Sequence, residues 1–149
     1  MTELLFYALL ALAAGACAPT QAGVNAQLRV FTGDPTLAAL ISFAVGTLSL
    51  FVCTLVLRVP WPSVSTFSQL PWWMWTGGCM GAFLVFVTII FAPKLGAATT
   101  LAFIIAGQMV TSLILDHYGL IGFPVHTASL WRLIGVAFLV IGVVMIERF

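Results

Sequence analysis

The sequence predicts an all-α integral membrane protein: five transmembrane helices in a single membrane domain over residues 1–149, assembled as an antiparallel ten-helix homodimer. Three observations predict it. Hydrophobic residues make up 62% of the 149-residue chain. The five Lys/Arg and four Asp/Glu residues sit at the edges of long apolar runs. Five of those runs reach the roughly 20 helical residues that hydrocarbon about 30 Å thick demands. A mean hydropathy of +1.20 leaves too little polar surface to cover a water-soluble globule of this size. Lipid is therefore the expected solvent, and charge retreats to the segment ends because an unpaired ion in hydrocarbon is so costly.

The segments fall at approximately residues 4–28, 35–57, 72–91, 95–118 and 129–147. Asp34 before Pro35 reads as an N-cap followed by the first helical position, since proline lacks the N–H that would be orphaned there anyway. Ser68 to Pro71 opens the third segment, and Gly119, Gly122 and Pro124 break the chain after the fourth. Trp61, Trp72, Trp73 and Trp75 stand beside segment ends, where indole rings favour the headgroup layer, and are read as anchors. Ala14, Ala18, Ala22 and Ala26 recur every fourth residue in the first helix, Gly77 and Gly81 repeat that spacing in the third, and Gly135 and Gly142 add small residues to the last. Such spacing lets helix backbones approach closely.

Cys17, Cys53 and Cys79 lie in different apolar runs with no CxxC pair, so they read as small core residues rather than a disulfide framework or zinc site. Ala14-Gly15-Ala16-Cys17 bears a faint likeness to a lipoprotein cleavage box, but the early charge is acidic Glu3 where a secretory signal needs a basic region, so no cleavage is expected.

Five crossings would place Arg58 and Arg132 on one side of the membrane and Arg29, Lys94 and Arg148 on the other. Orientation follows the Lys/Arg bias, and two against three is almost no bias, so the chain is expected to insert both ways. Two copies in opposite senses would form a ten-helix body with a two-fold axis in the membrane plane, the symmetry used in alternating access.

Cys17, Gln21, Asn25 and Arg29 recur at four-residue spacing and share one face of the first helix. Lipid cannot satisfy those amides. Pro19 lies among them and frees the carbonyl of Gly15, a feature of interrupted helices that line cavities. The stripe reads equally as cavity lining or as interhelical glue. Gln108 near the middle of the fourth helix, Ser112 and Asp116 step along one face, with Thr111 beside them. Gln21, Asn25, Gln108 and Ser112 are the candidate substrate-binding residues; Asp116, Arg29 and Pro19 are candidates for coupling or gating. Asp116, next to His117 near the segment end, also reads as an interfacial residue. No carboxylate lies near the centre of a segment, which disfavours simple proton-for-cation exchange. Amides and hydroxyls suit a neutral polar or amphipathic solute, and Arg29 or Lys94 at a cavity mouth would favour an anion.

An enzyme is not expected: the chain has no HExxH, Gly-x-Gly-x-x-Gly or Walker motif. His117 and His126 share a loop without a cysteine or second carboxylate at ligand spacing, so neither metal nor cofactor is implied. A net charge of +1 offers no basic stripe to nucleic acid. The expected partners are membrane lipid, a small-molecule substrate and a second copy of the chain.

Gly96-Ala97-Ala98-Thr99-Thr100, then Ile105-Ala106-Gly107-Gln108 and Leu115-Asp116, resemble the YdcZ-type inner-membrane exporters of the drug/metabolite transporter superfamily, as do Gln21, Val24-Asn25 and Leu28 in the first helix. The likeness in length and five-segment layout covers essentially the whole chain. It implies a bacterial inner-membrane location, a small transporter related to larger ten-helix carriers, and dual-topology dimers. No binding-residue set is transferred by it, and nothing here matches the membrane-embedded glutamate of small multidrug transporters. A secondary transporter is the leading reading. A passive channel, which would need a ring of charges or a continuous polar wall, and a non-transporting assembly or scaffold protein are the alternatives.

Overall fold

The computed structural model describes residues 2–149, and every regular element among them is helical. The order is α1 (Thr2–Thr32), α2 (Pro35–Val56), α3 (Val64–Ser68), a 3-10 turn at Trp72–Trp75, α4 (Thr76–Leu95), α5 (Ala97–Tyr118), a 3-10 turn at Leu120–Gly122 and α6 (Leu130–Arg148). Five stretches are long and apolar enough to cross a membrane: Glu3–Thr32, Pro35–Val56, Trp72–Leu95, Ala97–Tyr118 and Leu130–Arg148. The chain divides into two compact units, one ending at Lys94 and the other spanning Leu95–Phe149.

In the first unit α1 packs against α2, and a small core gathers Ala38 and Ala39 of α2 with Ile89 of α4, flanked by Leu28 of α1 and Val85 of α4. Alanines dominate because backbones, not bulky side chains, must meet: lipid tails are as apolar as leucine, so helix association draws on close packing rather than on removal from water. A Cβ at Gly81 would stand 3.5 Å from the Phe43 ring, so this glycine sits at van der Waals distance from α2, whereas Gly77 has open space around it. Of the four-residue alanine series, Ala22 is buried while Ala14 and Ala18 are exposed. Large apolar side chains point outward instead, among them Phe83 and Phe138, the inversion of a soluble core that a hydrocarbon solvent allows.

The second unit is a helical hairpin of α5 and α6. Gly119 ends α5 in the left-handed region (φ 62°), with its N–H donating to the Leu115 carbonyl, and a Cβ there would lie 2.7 Å from Val125 Cγ2. Glycine is the residue that meets both demands without strain. Ser129 caps α6, its hydroxyl accepting from the Arg132 N–H at 3.3 Å.

Asp34 and Pro35 are N-cap and first helical residue as their sequence implies: one Asp34 oxygen accepts from the N–H groups of Thr36 (2.7 Å) and Leu37 (3.1 Å). Elsewhere the bounds shift. α1 continues past residue 28 to Thr32, and it runs unbroken through Pro19. α4 passes residue 91 and takes Pro93 inside its last turn. α3 has no counterpart among the sequence-predicted elements; its exposed Ser/Thr-rich turn lacks an apolar period, so no helical signal precedes it.

The Leu37 N–H, then the Thr36 donors and the nearby Arg29 charge, outweigh an opposing desolvation and hold the Asp34 carboxyl below its usual 3.8. A lowered folded-state pKa means the cap is fully in force above the unfolded value and is lost as pH falls through the folded one. Asp34→Ala is therefore expected to lower the melting temperature at neutral pH, with the gap to wild type closing only below the usual carboxylate range, as read by thermal unfolding across pH. Gly119→Ala is expected to cost about 1–2 kcal/mol from left-handed strain alone, with the Val125 clash added, measured by equilibrium unfolding in detergent.

Candidate functional site

α1 carries the first group of candidate residues. Pro19 cannot donate to the Gly15 carbonyl, yet the helix absorbs it without interruption, so no break in α1 forms a cavity here. Gln21 is exposed. Asn25, one turn on, is 3% exposed, and its amide Nδ2 has no hydrogen-bond partner. A buried donor left unmade costs about 1–3 kcal/mol, so such a group is exceptional and calls for a reason.

Arg29 follows a further turn along and is half-buried. Its Nη1 donates to the main-chain carbonyl of Ile89 on α4 at 3.5 Å. Pro93 explains the choice: in a helix the Ile89 carbonyl would accept from the residue four on, and proline has no N–H to give. The carbonyl of the one fully buried large side chain among the described residues would otherwise be orphaned, and a guanidinium from α1 reaches it. Thr88 beside it spends its hydroxyl on the Val85 carbonyl at 2.7 Å. Asn25 and Arg29 thus present donors on one face of α1.

The second unit holds the other group. A cleft of about 370 Å³ between α5 and α6 is lined by Met109, Ser112, Leu113 and Asp116 on one side and Arg132, Gly135, Val136 and Leu139 on the other. Ser112 and Asp116 thus share a cleft, as their spacing implies, while Gln108, one turn before, is exposed and outside its lining. Asp116 Oδ2 accepts from Arg132 Nη1 at 3.2 Å, and the same nitrogen donates to the His126 carbonyl at 3.2 Å. The loop closes on these groups: the His126 N–H donates to the Asp116 carbonyl (2.8 Å) and the Ala128 N–H to His117 Nδ1 (3.0 Å). An Nδ1 that accepts places the imidazole proton on Nε2. With side chains 29% and 40% exposed, the Asp116–Arg132 pair contributes at most about 1 kcal/mol. Its clearer effect is to fix the re-entry of the chain into α6.

Residue spacing within one helix did not reveal Arg132 as the partner of Asp116. The signal that pointed to it was the turn-rich 119–129 stretch, which brings the end of one helix and the start of the next together. The Ile89 carbonyl was equally hidden, although Pro93 marked it. Among the described residues no group of three His, Cys, Asp or Glu side chains is placed to hold a metal ion.

Residues 6–145, nearly the whole chain, match the family described as "Putative inner membrane exporter, YdcZ". The chain belongs to this family. A relative, inner membrane protein YdcZ of Escherichia coli (strain K12), is 35% identical over 81 residues, 54% of either chain, so the match spans about half the length of that protein. No solved structure matches. Family membership together with five membrane-crossing helices makes this a multi-pass inner-membrane protein of an exporter family, not of an enzyme family.

The Arg29 tether in this family member can be read by a double-mutant cycle. Arg29→Met alone is expected to cost about 1–3 kcal/mol by orphaning the Ile89 carbonyl. In a Pro93→Ala background, where the substituted residue supplies the missing N–H, the same change is expected to cost at least about 1 kcal/mol less, as measured by unfolding in detergent.

Proposed function

We propose that the chain is a small secondary transporter of a polar or amphipathic metabolite or drug, working by alternating access at the interface of an inverted homodimer. Gln21, Asn25, Gln108 and Ser112 of both copies face the solute path, with Arg29, Asp116 and Pro19 serving coupling or gating. The observation that carries this reading is the buried, unpartnered amide of Asn25. A side chain kept as glue between the helices of one protomer needs a partner there. An interhelical hydrogen bond in a membrane averages only about 0.6 kcal/mol, and Asn25 Nδ2 does not collect even that. Retaining a desolvated donor that weakens the fold is what a binding group does, since its partner arrives with the solute.

The inverted pair is supported by the two-against-three division of Lys and Arg across the five crossings. Rocking of one copy against the other would expose the enclosed groups alternately to each side. The sequence carries no Walker lysine for ATP, and any energy coupling in this reading is to an ion or solute gradient.

Asn25→Leu separates this reading from a scaffold. The variant is expected to be as stable as wild type or more stable by about 1–2 kcal/mol, because a costly orphan donor is gone. Solute-driven currents from reconstituted liposomes are expected to fall by tenfold or more. A destabilised variant with unchanged flux would favour glue. For the inverted pair, a C-terminal tag should be accessible from both faces of the inner membrane, and a tag found on one face alone would refute it.

A further inference from the structure

On α1 the Asn25 amide has no acceptor and the Arg29 guanidinium has a single distant one, and together they specify a ligand chemistry. Asn25 Nδ2 is buried and unpartnered. Arg29, four residues on and on the same helix face, is half-buried, and its side chain makes one long contact, 3.5 Å, to a main-chain carbonyl. A guanidinium has five N–H donors in a planar fork, so most of its capacity remains open. Among the described residues the ion pair within 4.0 Å is Asp116–Arg132, which leaves Arg29 without a bonded carboxylate. Asp34, the nearest acid in sequence, feels the Arg29 charge but is not within 4.0 Å of it, and one of its two oxygens accepts the Thr36 and Leu37 N–H groups. Arg58 and Lys94, the other cations of this unit, are exposed.

We propose that Asn25 and Arg29 form an anion-recognition site, and that the solute it takes is a small organic acid bound through its carboxylate. A carboxylate has about four lone-pair positions and accepts a guanidinium fork two bonds at a time, leaving capacity for the Asn25 amide. A cationic solute would meet the Arg29 charge in a poorly solvated place, and a neutral amide would leave that charge uncompensated. The Ile89 carbonyl, unpaired within α4 because of Pro93, holds the guanidinium in place through one nitrogen while its other donors stay free, so the fork is oriented before the anion arrives. The inference rests on the transporter reading only for what the bound acid does next.

The test uses full-length protein and three probes of nearly one shape: benzoate, benzamide and benzylammonium. Binding is followed by thermal shift and by tryptophan fluorescence titration in detergent at matched ionic strength, and transport by currents from liposomes. Benzoate is expected to raise the melting temperature while benzamide and benzylammonium leave it unchanged. Arg29→Lys keeps the charge but loses the fork and is expected to weaken benzoate binding at least tenfold; Asn25→Leu should weaken it about tenfold or more. Arg148→Gln, at the far end of α6, should leave it unchanged. Benzoate affinity unchanged from wild type in the Arg29→Lys and Asn25→Leu variants, preference for benzylammonium or benzamide, or binding of none of the three would overturn the proposal. Benzoate binding that obeys these variants but drives no current would keep the site and remove the transporter reading. Currents carried by benzamide or benzylammonium alone would do the reverse.

Discussion

Hydrocarbon offers no hydrogen bonds, and that single property of the solvent organises the molecule. Each main-chain polar group must be satisfied within the protein, which is why the five membrane-crossing stretches are helices and why their ends receive such specific treatment. Asp34 feeds two orphan donors of α2, Ser129 caps α6, and Gly119 closes α5. Where a proline breaks the ladder inside α4, a guanidinium from another helix makes good the loss. Against this thoroughness a buried amide with nothing to bond is conspicuous.

The same solvent inverts the usual division between core and surface. Alanine fills most of the buried apolar positions, Gly81 lies against Phe43 of the neighbouring helix, and most leucines and phenylalanines face out. Burying a large side chain gains little when the outside is equally apolar, so the helices are joined by proximity and by a few directed bonds. Contacts of that kind are weak individually, so the few directed bonds between helices matter the more.

Much of the fold could be read directly from residues. Period, length and charge placement define five spans, and Asp34-Pro35 and Gly119 name their own caps. The ends proved less legible. Arg29, Val30 and Phe31 continue α1 because nothing breaks the helix before Gly33, and Pro93 is admitted to α4 because its cost is met from a distance. The candidate residues show the same divide. Spacing alone put Ser112 and Asp116 on one wall of a cleft, since that is a property of one helix. The partners of Arg29 and Asp116 lie 60 and 16 residues away, and no local pattern encodes which chains of sequence will meet. Pro19 carries the opposite lesson: a helix breaker by composition, it leaves α1 continuous.

The bond from Arg29 to the Ile89 carbonyl ties a cation to a proline that it never touches. The proline without the cation strands an acceptor, and the cation without the proline has no tether. The dependence therefore runs one way: a descendant that loses the arginine needs an N–H restored at position 93, whereas an N–H at 93 replaces only the tether and not the guanidinium's remaining donors.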